Sequence, residues 1–523
     1  MKKSKIKNPI LWTDGYKLCH MDQYPKGTSW VYETWTPRMS RVDGVSHVVN
    51  YGLQGGLKDL AEQFDEEFFS QPIKHIETDY KDAARDIFGK TNPDFAKSVD
   101  TTHLKKLHKL GYLPLKFKAL KEGTFTPIGV PMFTVENTEP DAFWLPGYLE
   151  SQLSPYIWLP MTAATIADKY KRILSKYAEE TGDMARVFTQ ATDFSMRGMS
   201  SPESAMRASG GHLLSFGGSA TVHARNYLMD RYNAKPDVMA YTPSTEHSVM
   251  CSYGEDEVDA FRHLITNVYP TGNISIVSDT YDFWNVVDNV LPQLKEEILN
   301  RDGKVIIRPD SGDPVKIICG DPSADSETVK KGLVERLSEI FGSKVNSKGY
   351  LELPPQIGAV YGDSITPERA LSICEGLKSK KIATTNVNLG VGSYTYQYNT
   401  RDTFGFALKA TAGIENGEFK SIQKRPATDL GNFKKSQKGM VAVVERGGDL
   451  KLVDDLTPKT EREIMDNLLE DMFVNGEFVR EESFDEIRAR VAEQSKRVYE
   501  KGGELWNTTK SGLVVPKERE VLS

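Results

Sequence analysis

Several short stretches of this chain end an apolar run in acids, cations, hydroxyls and glycine. The densest is Val305-Ile-Ile-Arg-Pro-Asp-Ser-Gly-Asp313. Its apolar half reads as a strand, and Arg308 and Asp310 project to one side if the chain stays extended through Pro309. A cation for phosphate and an anion for metal or ribose would then stand together; a salt bridge capping the strand accounts for the pair equally well. Ile274-Ser-Ile-Val-Ser-Asp-Thr-Tyr-Asp282 delivers Asp279 and Asp282 in the same way. Carboxylates after a buried strand suit Mg2+ shared with substrate phosphates, although Asp279 also stands where a helix cap would. In Thr245-Glu-His-Ser248, His247 offers a general base or nucleophile and Glu246 a group to orient it. A lone histidine is more often structural.

Ala191-Thr-Asp-Phe-Ser-Met-Arg-Gly-Met-Ser-Ser201 adds an aromatic face at Phe194 and a planar fork of donors at Arg197. The Ser-Ser-Pro-Glu at 200–203 reads as a helix start, whose free N–H groups favour anions. In Ala359-Val-Tyr-Gly-Asp-Ser-Ile-Thr366, Gly362 permits close backbone approach and Asp363 is a candidate acceptor for ribose hydroxyls. Asn388-Leu-Gly-Val-Gly-Ser393, with Gly392 and Ser393, is a glycine-rich loop of the kind that offers N–H groups to phosphate. Arg401 and Lys409 follow as further cations. Each stretch has a structural explanation of its own. Together they read as an enzyme site for a phosphorylated sugar, with Mg2+ and an aromatic co-substrate.

Positioning so many loops takes a large scaffold. At 523 residues the chain exceeds one ordinary compact core, so two domains or a barrel with additions are expected. Its composition, 39% hydrophobic and 27% charged, is that of a globular protein. A net charge of −7 argues against a general nucleic-acid binder and leaves room for a local basic pocket. Cys19, Cys251, Cys319 and Cys374 form no C-x-x-C pair, so neither a zinc site nor a disulfide framework is expected. The basic start is followed by too short an apolar run for a signal peptide. No segment nears the roughly 20 apolar residues of a membrane span. A cytoplasmic protein with no membrane partner is the expectation.

From about 185 to 400, short strand, reactive loop and helix repeat, the rhythm of a parallel α/β barrel whose post-strand loops meet at one face. Before it, 30–37 and 113–135 alternate as strands. Residues 57–111 read as a solvated helical face with His103 and His108 exposed, and 141–177 as long helices broken at Pro155 and Pro160. After 401 alternating β patterns return, followed by a charged helix near 483–501. The expected fold is α/β: an irregular parallel (β/α) barrel core at 181–400, with a mixed β-rich and helical domain built from 1–180 together with 401–523.

These motifs, in this order, resemble the nicotinamide phosphoribosyltransferases, a type II phosphoribosyltransferase family. The resemblance runs nearly end to end. It is carried by Thr13-Asp-Gly-Tyr-Lys-Leu-Cys-His20 with Gln23-Tyr-Pro25, by Phe133-Thr-Val-Glu-Asn-Thr-Glu-Pro140, and by Asp193-Phe194 with Arg197-Gly-Met-Ser-Ser201. Glu246-His-Ser248, Val277-Ser-Asp-Thr-Tyr-Asp282, Ile307-Arg-Pro-Asp-Ser-Gly312, Gly362-Asp363, Thr400-Arg-Asp402 and Ser483-Phe-Asp-Glu-Ile-Arg488 complete it. It implies transfer of phosphoribosyl from phosphoribosyl pyrophosphate to nicotinamide in NAD salvage, by a homodimer with sites at the interface. Phe194 would hold the pyridine ring against Tyr16 of the partner subunit, with Asp14 beside it. Arg197 and Arg308 would take ring-side and phosphate groups, and Asp310 and Asp363 the ribose. Asp279 and Asp310 would orient Mg2+ and pyrophosphate, while Gly392, Ser393, Arg401 and Lys409 surround phosphate. ATP would phosphorylate His247, supported by Glu246, and so couple hydrolysis to substrate affinity.

Three departures bear on substrate choice. Ala220 stands where the family has an aspartate that accepts from the amide of nicotinamide and would repel nicotinate; Ser219 beside it is a candidate to serve either ligand. Ala407 replaces a hydroxyl near phosphate, and the loop at Tyr241-Thr242 differs from the family's pattern. A nicotinate or dual-substrate enzyme is therefore the near alternative. A catalytically silent nucleotide-binding relative is the alternative of another class, opposed by His247, Asp279, Arg308 and Asp310.

Overall fold

The computed structural model describes residues 7–424 and 436–500. Six short strands form one parallel sheet: β1 (Ala191–Asp193), β2 (Gly218–Ser219), β3 (Ile274–Val277), β4 (Val305–Arg308), β5 (Ile357–Tyr361) and β6 (Val387–Val391). They run in the order β2-β1-β6-β5-β4-β3, and every pairing is parallel. β3, β4 and β5 are buried along their whole length, which is why they read as unbroken apolar runs rather than alternating ones. The sheet curls, and the segment between its edges joins them. Ala240 bridges Gly218 and Ser244 bridges Ser275, both in parallel. No regular strand forms there, because Pro243 cannot donate to a ladder.

The second sheet is antiparallel and has seven strands. Thr28–Thr36 pairs on one side with Ala407–Glu415 and on the other with Phe133–Asn137. Leu115–Ala119, Glu470–Val474 and Glu477–Phe478 continue it, and Glu418–Ser421 forms the opposite edge. Strands from before and after the parallel sheet's segment thus share one sheet.

Helix α1 (Glu150–Thr181) ties the sheets together. Its first turns give Leu153, Ile157 and Met161 to the core of the antiparallel sheet, and its later turns give Ile166, Tyr170 and Leu174 to the core of the barrel. Pro155 and Pro160 lie inside this one 32-residue helix and do not break it, contrary to the sequence expectation. Each proline removes one backbone hydrogen bond, and burial on several faces offsets the loss. Neighbours approach Pro160 where they lack side chains: a Cβ on Gly52 would lie 2.5 Å from its Cγ, and one on Gly211 2.7 Å from its carbonyl oxygen.

Residues 57–111 are helical and amphipathic, with Leu57, Leu60, Phe64, Phe68 and Leu104 buried. His103 is not exposed as expected. It is buried edge-on to Trp144, with ring centroids 4.8 Å apart, and burial pushes its pKa down to about 4. His108 is half-buried against the carbonyl of Gln71, 2.8 Å away. Among the described residues, no helix is long and apolar enough to cross a membrane.

Candidate active site

The loops that follow the parallel strands meet around a cluster of charge. β4 ends in Arg308, whose Nε lies 3.4 Å from Asp310 Oδ2 and whose Nη2 donates to the Thr245 carbonyl at 2.7 Å. β3 leads into Asp279, whose side chain is 3% exposed. Its Oδ2 accepts from the Asp310 backbone N–H at 2.9 Å and the Ser311 hydroxyl at 2.6 Å. The two acids that the sequence places after β3 therefore have different fates. Asp282 caps the next helix, accepting from the N–H groups of Trp284 and Asn285 at 3.0 and 3.2 Å, whereas Asp279 faces the Arg308–Asp310 pair.

Burial raises the Asp310 pKa although Arg308 opposes it, and Asp279 and Asp363 add to the rise. Asp279 Oδ1 and Asp310 Oδ1 are both buried without a hydrogen-bond partner, the condition of oxygens that suit a cation or a ligand donor. No group of three histidine, cysteine, aspartate or glutamate side chains forms a metal cage among the described residues. A divalent ion at these two carboxylates would draw its other oxygens from ligand and water, as Mg2+ commonly does. Gly362, after β5, has no room for a side chain: a Cβ there would lie 2.4 Å from Asp310 Oδ1. Asp363 beside it is exposed and accepts from its neighbour Ser364 at 2.8 Å.

His247 is half-exposed. Its Nδ1 lies 3.2 Å from the Thr280 hydroxyl and its Nε2 3.8 Å from Asp279 Oδ1. Glu246 accepts from the Ser248 hydroxyl, and no described bond joins it to His247. The groups flanking the imidazole are thus Thr280 and Asp279, which lie more than thirty residues further along the chain.

Phe194 follows β1, its N–H bonded to the Val391 carbonyl at 2.9 Å. The ring lies over Gly390, where a Cβ would come within 2.5 Å of Cδ2. Tyr241, 47% exposed, stands edge-on to it with centroids 6.0 Å apart. This second aromatic wall was signalled in the sequence only by the departure at 241–242. Arg197 is exposed. Gly198 touches the Gly392-Ser393 turn so closely that a Cβ would lie 2.0 Å from Ser393 Oγ. Helix α2 (Pro202–Leu213) opens with the expected cap, in which Ser201 accepts from the Ser204 N–H at 3.1 Å.

Below the ring site lies a buried polar net. Asp193, fully buried, accepts from the Ser195 N–H at 2.9 Å and from the hydroxyls of Ser219 and Thr221, each at 3.0 Å. Ser219 Oγ also takes the Thr221 N–H at 3.0 Å and lies 2.8 Å from the Ser209 hydroxyl. Ser219 is thus buried and fully engaged, and the expectation that it serves a ligand is corrected. Ala220, half-buried between these hydroxyls, donates its N–H to the Asp193 carbonyl at 2.9 Å.

The remaining candidates gather elsewhere. Asp14, Tyr16, Arg401 and Lys409 line a pocket of about 380 Å3 with Glu150, Ser151 and Trp158. Lys409 Nζ lies 3.2 Å from Glu150 Oε1, the Ser151 hydroxyl donates to Asp14, and Tyr16 is 55% exposed. No described hydrogen bond or ion pair links this pocket to the cluster at the barrel mouth.

The sequence model of the nicotinate phosphoribosyltransferase family matches residues 189–477, and that of the nicotinamide phosphoribosyltransferase N-terminal domain matches residues 8–78. A nicotinamide phosphoribosyltransferase of Acinetobacter baylyi is 44% identical over 93% of this chain and 97% of its own length. One from Mycoplasma pneumoniae is 36% identical over 80% of this chain and 92% of its own. Among solved structures, a nicotinate-nucleotide pyrophosphorylase from Pyrococcus furiosus superposes with a TM-score of 0.55 at 17% identity, over 95% of this chain and 99% of that one. Human nicotinic acid phosphoribosyltransferase superposes with a TM-score of 0.54 at 15% identity, over 95% and 96%. These two establish likeness of fold.

Proposed function

The chain belongs to the nicotinate phosphoribosyltransferase family, and from that premise we propose that it is a pentosyltransferase of NAD salvage. It moves phosphoribosyl from phosphoribosyl pyrophosphate to nicotinamide, giving nicotinamide mononucleotide and pyrophosphate. The observation that carries the reading is the Arg308–Asp310–Asp279 cluster, with two buried unpartnered carboxylate oxygens, near the half-buried ring of Phe194.

As the ring nitrogen of the base bonds to the ribose anomeric carbon, the bond to pyrophosphate breaks and the sugar becomes oxocarbenium-like. Groups that stabilise charge only in that state accelerate the step. Arg308, held by the Thr245 carbonyl and Asp310, presents a fixed cation to phosphate. Asp310 and Asp363 address the ribose, and the crowding at Gly362 keeps Asp310 in place. Asp279 and Asp310 would hold Mg2+, which would supply charge neutralisation for the leaving pyrophosphate. Phe194 and Arg197 hold the base, and Gly392 and Ser393 lend backbone and hydroxyl donors to phosphate.

The same reading makes the enzyme a cytoplasmic homodimer. Phe194 is not among the residues lining the pocket of Asp14, Tyr16, Arg401 and Lys409, and a second copy would supply its Tyr16 to the ring. Coupling to ATP passes through His247. Its half-exposed imidazole takes the γ-phosphoryl group, ADP leaves, and Thr280 and Asp279 hold the ring. A second reading, an enzyme accepting nicotinate as well, is favoured by one set of facts. The carboxylate is missing at 220, Ser219 is engaged elsewhere, and Tyr241 walls the ring.

Purified protein given phosphoribosyl pyrophosphate, Mg2+ and equal nicotinamide and nicotinate, with and without ATP, is assayed by mass spectrometry of the products. Nicotinamide mononucleotide as main product supports the first reading, and nicotinate mononucleotide as main product the second. Neither product would sink both. His247→Ala should lose the stimulation by ATP and keep part of the transferase activity; ATP stimulation that survives the substitution refutes the phosphohistidine.

A further inference from the structure

A larger cavity, of about 600 Å3, is lined by none of the residues assigned above. It lies between α1, the segment that leads into β1, and the last helix among the described residues, α3 (Phe484–Glu500). Met184, Phe188, Leu214 and Ala492 give it apolar walls. Met184 and Phe188 are 47% and 40% exposed.

The charges around this cavity are unbalanced. Asp168 is used within the protein: Arg172 Nε lies 2.9 Å from its Oδ2, and the Ser495 hydroxyl donates to its Oδ1. Asp485 at the rim pairs with Lys235 at 2.9 Å. Two cations have no ion-pair partner among the described contacts, although Asp168 acts electrostatically on Lys171 and Asp485 on Arg488. Lys171 Nζ sits 5.4 Å from the ring centroids of both Phe188 and Phe216, with no described hydrogen bond or ion pair. Burial lowers its pKa to about 8. Arg488, 5.5 Å from the Phe188 ring, donates to the carbonyls of Leu213 and Val238 at 2.9 and 3.0 Å. These bonds fix the guanidinium without neutralising it. Two cations thus lie within about 6 Å of one aromatic ring, a setting for a group both apolar and negatively charged.

The cavity also touches the loop that carries Ala220. The Phe188 carbonyl accepts the Gly217 N–H at 2.9 Å, and a Cβ on Gly217 would lie 2.4 Å from Phe188 Cε1. Gly217 leads directly into β2 and Ala220, and its carbonyl accepts from the Ala240 N–H at 2.8 Å, one residue before Tyr241. A shift of the Phe188 ring therefore meets backbone that runs to both departures of the base site.

We propose that this cavity is a second binding site, for a small amphipathic organic anion, and that its occupancy changes affinity for the base through Phe188 and Gly217. The anionic group lies beside Lys171 and Arg488, and the alkyl or aromatic body lies along Met184, Leu214 and the edge of Phe188. The volume suits a ligand of ordinary metabolite size. The link to base affinity rests on the reading of Phe194 as the base site; binding itself does not.

The probe is 8-anilinonaphthalene-1-sulfonate, titrated into the full-length protein and read by fluorescence. Saturable binding near one dye per chain is expected. Octanoate should displace it and octylamine should not. Lys171→Gln should weaken binding at least tenfold, and Ala492→Trp, which fills the cavity from the exposed face of α3, should abolish it. Both variants should keep the wild-type thermal midpoint and basal turnover. Dye affinity unchanged in both variants overturns the site, as does equal displacement by octylamine. The same holds if the dye does not bind, or if sedimentation shows that Ala492→Trp splits an assembly of copies joined through this face. For the coupling, saturating octanoate should shift KM for the base at least threefold in wild type and not in Lys171→Gln. An unshifted KM in a protein that binds the dye overturns the coupling alone.

Discussion

Replacing Asp193 tests whether the buried net beneath Phe194 positions the base loop. In Asp193→Ala three donors lose their acceptor: the Ser195 N–H and the hydroxyls of Ser219 and Thr221. Ser219 can turn to Ser209, 2.8 Å away, and is spared. The other two remain in a region that excludes water, at about 1–3 kcal/mol each, and the missing carboxyl leaves a small void, so the loss is about 3–5 kcal/mol. Asp193→Asn keeps the Ser195 bond on its carbonyl oxygen, and its amide can donate to a rotated hydroxyl. It should cost about 1–2 kcal/mol. In a cooperative unit of about 200 residues, 1 kcal/mol moves the thermal midpoint by about 2–4 °C. The alanine variant should therefore melt roughly 6–20 °C below wild type, and the asparagine variant a few degrees below. Scanning calorimetry gives the midpoints, and initial rates give KM for the base. KM should rise in both variants, because Gly218 to Thr221 are no longer pinned, while kcat changes less. An alanine variant within about 3 °C of wild type, or an asparagine variant as damaged as the alanine one, would refute the reasoning.

Gly362→Ala should leave the far-ultraviolet circular dichroism unchanged and lower kcat/KM for phosphoribosyl pyrophosphate by about ten- to a hundredfold. Its new methyl would displace Asp310 Oδ1, at a cost of about 1–3 kcal/mol. Ala220→Asp should raise the preference for nicotinamide over nicotinate at least tenfold in competition assays. Two carboxylates about 4 Å apart in a half-solvated site repel by about 1–4 kcal/mol, and 1.4 kcal/mol is about tenfold. Glu33 is buried next to Glu150, and burial pushes its pKa up to about 7. Between about pH 4.5 and 7 the folded state keeps a proton that the unfolded state has released, so stability falls as pH rises through that window. Glu33→Gln should show a smaller drop in thermal midpoint from pH 5 to pH 8 than wild type, and equal drops would remove Glu33 as the cause.

Much of the fold is legible because local pattern and long-range packing agree. Val305-Ile-Ile-Arg and Ile357-Gly-Ala-Val-Tyr are short, apolar and followed by polar turn residues, which suits only strands buried on both faces. The long helix was harder to read. Proline is a local breaker, and only the surroundings of Pro160, where Gly52 and Gly211 make room, show why the helix runs on. His103 deceived for a similar reason: it stands in the polar run Thr-Thr-His-Leu-Lys-Lys, but its neighbours in space are Trp144 and Tyr80.

By itself the sequence determined which chemistry stands at the end of each strand: a ring and a guanidinium after β1, acids after β3 and β4, glycines after β5 and β6. Side-chain type and strand period are local properties. Only the tertiary structure decided which of those groups meet. It joined Asp279 to the loop of Asp310 and left Asp282 to cap a helix. It spent Ser219 on Asp193, set Tyr241 against Phe194, and gathered Asp14, Tyr16, Arg401 and Lys409 around one pocket. These hydrogen-bond partners lie across strands that are adjacent in space and more than twenty residues apart in the chain. No local pattern encodes such a pairing, which is set when the curled sheet brings its loops to one end.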